Sequence, residues 1–230
     1  DRRLPPPPLP EADAERTMRP DARVVLDVDH KLHWGWKVSS YLVTKGVAAG
    51  ACLWAPFVST NAAPGFARDY LPELLGLLFL GITTVLLVAD LKRPKLFLSL
   101  LLRPNTKSWL VKGAWVLMAF GGVTSAILVA RFFGMDSVAT GLRWTNLVPA
   151  SLAAAYTAFL FAQCEGRDLW QRTNVLLPHL LIQALAIGGA LLLPFLPDTR
   201  LAIAVVILAL AHHALGMLER FGKHHTRNAQ

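Results

Sequence analysis

Length, composition and charge together exclude an ordinary soluble domain. Of the 230 residues, 54% are hydrophobic and only 17% are charged, and the mean hydropathy is positive. The formal net charge of +8 does not indicate nucleic-acid binding, because the lysines and arginines lie mostly in loops and tails beside apolar blocks, where such residues set membrane topology.

The chain begins with a polar, proline-rich segment. Residues 1–32 contain four consecutive prolines, Pro5 to Pro8, which favour an extended helix, and no apolar run typical of a signal peptide. We interpret this segment as a tail. A second polar tail covers residues 220–230.

Six apolar blocks lie between the tails, at residues 33–57, 70–90, 109–131, 146–165, 174–195 and 200–219. Each is about 20 residues long, the length of helix that crosses a hydrocarbon core about 30 Å thick. None shows the alternation of a β-barrel strand. The predicted fold class is therefore all-α, a polytopic transmembrane helix bundle of about six spans over residues 33–219.

The distribution of basic residues predicts the orientation of these spans. Most of them fall on one side of the membrane, in the two tails and in the loops near residues 91–112 and 166–172. The other side carries only Arg68, Arg131, Arg143 and Arg200. By the positive-inside rule, an even number of spans then places both termini in the cytoplasm.

Small residues recur where spans are predicted to touch. They are dense in the first span, around Gly46 and Gly50, and return at Gly113, Gly121, Gly122, Gly188 and Gly189. Because small side chains let helix backbones approach closely in lipid, the pattern predicts a tight bundle.

The cysteines offer no set of metal ligands. The chain contains only Cys52 and Cys164, each inside or at the edge of an apolar block. No metal site is predicted in this chain, and any iron–sulfur cluster would belong to a partner subunit.

Several polar side chains on different spans share one depth. Along helices that rise about 1.5 Å per residue, Tyr41, Tyr156, His179 and either His212 or His213 lie roughly 8–14 Å below the predicted inner surface. Lys45 lies one turn deeper than Tyr41, and Asp90 closes the second span at the rim of this layer. Taken singly, a membrane histidine or tyrosine more often bonds a neighbouring helix.

Taken together, the layer suits a quinone. The head group needs hydrogen-bond donors for its two carbonyls and a proton path to water, while its isoprenoid tail needs apolar walls. The residues predicted to bind it are Tyr41, Tyr156, His179 and His212. Asp90, Lys45 and His179 are predicted to exchange protons with it.

Two alternatives use the same residues. His179 with His212 or His213 could ligate a haem b, which would make the chain a haem-binding membrane anchor. Lys45, Asp90 and the histidines could also form the relay of a proton- or ion-translocating protein.

Three segments resemble the NrfD/PsrC family of membrane subunits, found in polysulfide-reductase-like and alternative-complex-III-like oxidoreductases. The most specific is DLKRPKLFLSLLLRPNTKSWLVKGAW, from Asp90 to Trp115. WKVSSYLVTKGVAAGA, from Trp36 to Ala51, is similar to the family's first helix. EGRDLWQ and PHLLIQALAIGGA, between Glu165 and Ala190, are similar to a later loop and the helix that follows it.

The resemblance implies a quinone-reactive subunit that acts as part of an oxidoreductase complex. It implies quinone binding, with menaquinone or ubiquinone as the quinone, next to a ferredoxin-like iron–sulfur subunit that serves a molybdenum-type catalytic subunit. It places Asp90, Arg93 and Pro94 near the quinone and the partner surface, with Tyr41 in the pocket-forming first helix. It also implies the bacterial inner membrane. Family members usually have eight spans, and their partner often docks on the outer face, whereas the charges here place the Asp90 loop inside.

Overall fold

The computed structural model describes residues 36–61, 65–90, 108–162 and 173–221. The predicted tail 1–32 lies outside these ranges, as do Arg93, Cys164 and nearly all of the predicted tail 220–230. In the described part, the residues form helices joined by short turns.

These residues form eight helices and no strand. They are α1 (Trp36–Asn61), α2 (Phe66–Asp69), α3 (Leu71–Asp90), α4 (Trp109–Phe132), α5 (Asp136–Thr145), α6 (Leu147–Ala162), α7 (Thr173–Leu192) and α8 (Thr199–Phe221). They provide six helical segments long and apolar enough to cross a membrane, with α5 and α6 together forming the fourth. The predicted all-α polytopic bundle of six spans is confirmed, and the chain is a multi-pass membrane protein.

Consecutive spans run antiparallel, with α1 at the centre. The contacts of α1 with α3 show this direction, because Thr44 lies beside Thr83 whereas Cys52 lies beside Gly76. Helix α1 also packs against α6 and α7, and α8 packs mainly against α7. As a result α1 is mostly buried, whereas α8 exposes a broad apolar face suited to lipid.

The small residues allow the closest helix contact, between α1 and α7. A Cβ atom added at Gly50 would overlap the carbonyl oxygen of Ala184, and one added at Gly188 would overlap the backbone of Gly50. Trp54 Nε1 donates a hydrogen bond to the Leu185 carbonyl across the same contact, at 2.8 Å. The predicted close approach is confirmed here, whereas a Cβ at Gly122 would meet open space.

The fourth span begins ten residues earlier than predicted, at Asp136 instead of residue 146. The sequence predicted residues 136–145 outside the spans and counted Arg143 among the basic residues of an outer loop. In the structure α5 is helical, and Arg143 and Asn146 are buried with polar partners. Internal pairing therefore allows polar residues inside the span.

Candidate functional site

The most deeply buried residue of the predicted layer is Lys45. Its side chain is 1% exposed, and Nζ donates a hydrogen bond to Thr157 Oγ1 on α6 at 2.7 Å. Nζ also lies 4.6 Å from the centre of the Tyr156 ring, within the range of a cation–π contact. Within the described ranges no carboxylate oxygen lies within 4.0 Å of Nζ. The ammonium is thus held by a hydroxyl and an aromatic face.

Both tyrosines of the predicted layer are buried, one on the helix that carries Lys45 and one on the helix that Lys45 contacts. Tyr41 lies four residues before Lys45 on α1, and Tyr156 precedes Thr157 on α6. The Tyr156 ring packs on Gly113 of α4, where a Cβ atom would overlap it. The absence of a side chain at Gly113 therefore allows the Tyr156 ring to lie where it contacts Lys45.

The two histidines of the predicted layer meet each other. His179 Nε2 on α7 lies 2.8 Å from His212 Nδ1 on α8, so one ring donates a hydrogen bond to the other. His213 turns away, and its Nδ1 donates to the Ala209 carbonyl of its own helix at 2.7 Å. The sequence does not distinguish His212 from His213, and the structure places His212 on the α7 side.

The geometry of this histidine pair bears on the haem alternative. Two imidazole nitrogens that ligate one iron from opposite sides lie about 4 Å apart, twice a metal–imidazole bond of about 2 Å. His179 and His212 are bonded directly at 2.8 Å, with no room for a porphyrin plane between them. This arrangement does not fit the pair as the axial ligands of one haem.

Asp90 lies at the rim, as its position at the end of a span predicts. It is the last residue of α3, and its side chain is exposed. Lys37 on α1 reaches the same end of α3 and donates to the Ala89 carbonyl at 2.9 Å. Arg93 lies outside the described residues, so its predicted role stays a prediction.

A second polar cluster, which sequence reading missed, lies at the opposite end of the bundle. Glu73 on α3 and Arg143 on α5 are both buried, and two hydrogen bonds join them. Arg143 Nε donates to Glu73 Oε1 at 2.7 Å, and Nη2 donates to Oε2 at 2.8 Å. Nη2 also donates to the Arg68 and Asp69 carbonyls, so one guanidinium ties three helices together.

A smaller ion network covers this pair toward the helix ends. Arg131 lies 2.8 Å from Asp136 and 3.5 Å from Asp69, and Asp69 also accepts a hydrogen bond from Arg68. Partial burial alone would raise the pKa of Asp69. The hydrogen bonds from Arg68 and the Gly65 amide, with the charges of Arg68 and Arg131, outweigh burial and lower that pKa below its usual value.

Asn146 links the same region to α4. Its Nδ2 donates to Thr124 Oγ1 at 3.1 Å, and Thr124 Oγ1 in turn donates to the Phe120 carbonyl at 2.8 Å. All three residues are buried. Because the hydroxyl has already used its hydrogen, it must accept from Asn146, and this fixes the orientation of the amide.

One feature of the sequence does indicate part of this cluster. Glu73 lies in the first turn of a strongly apolar span, and a carboxylate inside a span requires a partner by default. No similar rule identifies Arg143 as that partner, because 70 positions separate the two residues. The pairing depends on how α3 and α5 pack.

A sequence profile of the family described as "Polysulphide reductase, NrfD" matches residues 25–196. The match covers well over half of the chain and includes the first five spans, but it ends before α8 begins at Thr199. It agrees with the resemblance carried by the Asp90 loop and the first helix. No curated protein matches the chain.

Proposed function

The chain belongs to the NrfD family, and from this premise we propose that it is the quinone-binding membrane subunit of an oxidoreductase complex. Family membership and the six membrane-spanning segments support a membrane subunit of a reductase-type complex. The quinone, its contacts and the identity of the partners are our proposal.

The observation that carries the proposal is the environment of Lys45. A buried ammonium in a membrane protein is costly unless polar groups surround it, so such a residue is a functional candidate. Thr157 accepts one hydrogen bond from Nζ and the Tyr156 ring adds a cation–π contact, whereas Nζ can donate three hydrogen bonds. A quinone carbonyl is an acceptor of the kind that this amine can bind.

The other residues of the layer complete the proposed site. Tyr41 and Tyr156 orient the head group, and His179 and His212 donate to it or exchange protons with it. Reduction of a quinone to a quinol takes up two electrons and two protons, and oxidation releases them. We assign the proton exchange to Lys45, His179 and Asp90, of which Asp90 is exposed at the rim.

The electrons come from or go to partner subunits. We propose a ferredoxin-like iron–sulfur subunit next to a molybdenum-type catalytic subunit, with the Asp90 loop and Arg93 near the contact. An acidic partner would complement the basic residues of that loop, Lys92, Arg93, Lys95, Arg103 and Lys107.

We propose the bacterial inner membrane, with both termini cytoplasmic. The opposite end of the bundle supports this orientation, because its arginines are matched there by nearby acids. Within the described residues, Arg68, Arg131, Arg143 and Arg200 face an equal number of acids: Asp69, Glu73, Asp136 and Asp198. The excess of positive charge therefore belongs to the other end, which the positive-inside rule places in the cytoplasm.

A substitution of Lys45 tests the site. We expect Lys45→Met to lower quinone-dependent turnover of the purified complex at least about tenfold, the effect of losing one hydrogen bond to a charged group. Lys112→Met is a matched control, because Lys112 Nζ also lies 4.6 Å from an aromatic ring, that of Trp109, but is only half-buried. Turnover should be nearly unchanged in the control.

Assembly must be measured in the same samples. If Lys45→Met co-purifies with its partner subunits and retains full turnover, the proposed site is wrong. If it fails to assemble, Thr157→Val removes the acceptor for Lys45 while nearly preserving shape, and the same comparison is made with that variant.

A second candidate function, proton translocation, is favoured by the polar contacts along the bundle core. Two polar contacts lie toward one end of the bundle, Arg143–Glu73 and Asn146–Thr124. Toward the other end Lys45 bonds Thr157, and the Thr44 and Thr83 hydroxyls lie 2.8 Å apart. The test measures proton movement across the membrane of liposomes that contain the complex during quinone turnover. If the pH change corresponds only to the protons that the quinone itself takes up or releases, this second function is wrong.

A further inference from the structure

Three buried side-chain atoms at the Glu73–Arg143 end of the bundle have no hydrogen-bond partner among the described residues: Arg131 Nε, Arg143 Nη1 and Asn146 Oδ1. Arg143 Nη1 is a donor, and Asn146 Oδ1 is an acceptor. Both residues are only 1% exposed. A buried polar atom without a partner is energetically costly, and native proteins rarely leave one unsatisfied.

The rest of each side chain is held in place. Nε and Nη2 of Arg143 are bonded to Glu73, so the guanidinium cannot rotate to give Nη1 another partner without breaking that pair. Nδ2 of Asn146 donates to Thr124, whose hydroxyl already donates to Phe120, so the amide cannot reverse without losing this bond. The free donor and the free acceptor are therefore fixed features of the site.

The two residues are also neighbours. They are three positions apart on a backbone that stays helical from α5 into α6, because Asn146 itself has helical backbone angles. Side chains three apart on a helix lie on the same face, about 5–6 Å apart at Cβ. The two side chains therefore leave the helix on the same face.

We propose that this site binds a single water molecule, which accepts a hydrogen bond from Arg143 Nη1 and donates one to Asn146 Oδ1. Water is a group of one heavy atom that offers both roles at once, and internal waters typically satisfy buried polar atoms in this way. The bridge joins the Glu73–Arg143 pair on α3 and α5 to the contact between Asn146, which lies between α5 and α6, and Thr124 on α4. It is independent of the proposed quinone site, whose residue Lys45 meets Thr157 toward the other end of the bundle.

The test is a cryo-EM map of the purified complex at a resolution that shows ordered waters. We expect a compact density peak within about 2.7–3.2 Å of both Arg143 Nη1 and Asn146 Oδ1. Thr124 Oγ1 serves as an internal control, because it already accepts from Asn146 and donates to the Phe120 carbonyl, so no peak is needed there. In Asn146→Leu, which has a similar shape but no acceptor, the peak should disappear.

A map in which both side chains are resolved but no peak bridges them overturns the proposal. An elongated peak that continues into a lipid or a quinol also overturns it, because the oxygen then belongs to a head group instead of water. If Asn146→Leu does not fold, the wild-type map decides alone between these outcomes.

Discussion

Arg143 and Glu73 form a two-bond ion pair inside the bundle although 70 positions separate them in the chain. Both side chains are fully buried, so the pair is shielded from water and salt. It fixes α5 against α3 at one end of the bundle, opposite to the end where Lys45 meets Thr157.

Glu73→Gln should strongly destabilise the protein. Removing one partner leaves a buried, uncompensated charge, which costs about 3–5 kcal/mol, whereas removing both avoids that penalty. We therefore expect a large fall in the thermal unfolding midpoint for Glu73→Gln. The double variant Glu73→Gln/Arg143→Met should lower the midpoint by less than the sum of the falls for Glu73→Gln and Arg143→Met alone. Arg200→Met is the control, because Arg200 is exposed. Equal midpoints for Glu73→Gln and the control would contradict this role.

The contact between α1 and α7 predicts opposite effects for two glycines. Gly50→Ala places a methyl group against the Ala184 carbonyl and should destabilise the protein by about 1–3 kcal/mol, the usual cost of overpacking. Gly122→Ala meets open space, so its better helix propensity should be neutral or stabilising by up to about 1 kcal/mol. Thermal unfolding in detergent measures both. A Gly50→Ala variant as stable as Gly122→Ala would show that the helices can separate at no cost.

The physics of the bilayer explains which features of the fold and of the candidate site the sequence could predict. Span lengths are set by membrane thickness, and small-residue positions by backbone approach, so the six spans and the Gly50 contact were predictable. The depth of Lys45 and His179 follows from helix rise, but the partners at that depth do not. Thr157 as the acceptor for Lys45, and Arg143 as the partner of Glu73, depend on helix rotation and packing, which a single sequence does not encode in a short motif.

The hydrogen bond between His179 and His212 should be measurable as an energetic coupling. Replacing either histidine with alanine loses the same bond, so the double variant should be less destabilised than the sum of the singles by about 0.5–1.5 kcal/mol. His213→Ala paired with His179→Ala is the control cycle, because His213 bonds its own helix, and its coupling should be near zero. Equal coupling in both cycles would contradict the assignment of His212.

Acid should weaken the network around Asp69. Its pKa is lower in the folded protein than in the unfolded chain, so its contribution to stability is fully present above the unfolded value of about 3.9. The contribution is lost as the pH falls through the folded value. The stability difference between wild type and Asp69→Asn should therefore be constant from about pH 5 to pH 7 and shrink below about pH 4. Arg68→Met removes a hydrogen bond that lowers this pKa, so the decline should begin at a higher pH; an unshifted decline would count against that bond.

Asp90→Asn separates a role in proton exchange from a role in structure. The side chain is exposed at the end of α3, and asparagine keeps its shape, so we expect assembly with the partner subunits to be intact. If Asp90 relays protons between water and the quinone, losing the carboxylate should lower quinone turnover by about tenfold or more, since positioned acid–base groups contribute about 100-fold or above. Asp136→Asn, an exposed aspartate at the opposite end, should leave turnover unchanged. Full turnover in Asp90→Asn would remove this residue from the proton path, and loss of the partner subunits would instead assign it to the docking surface.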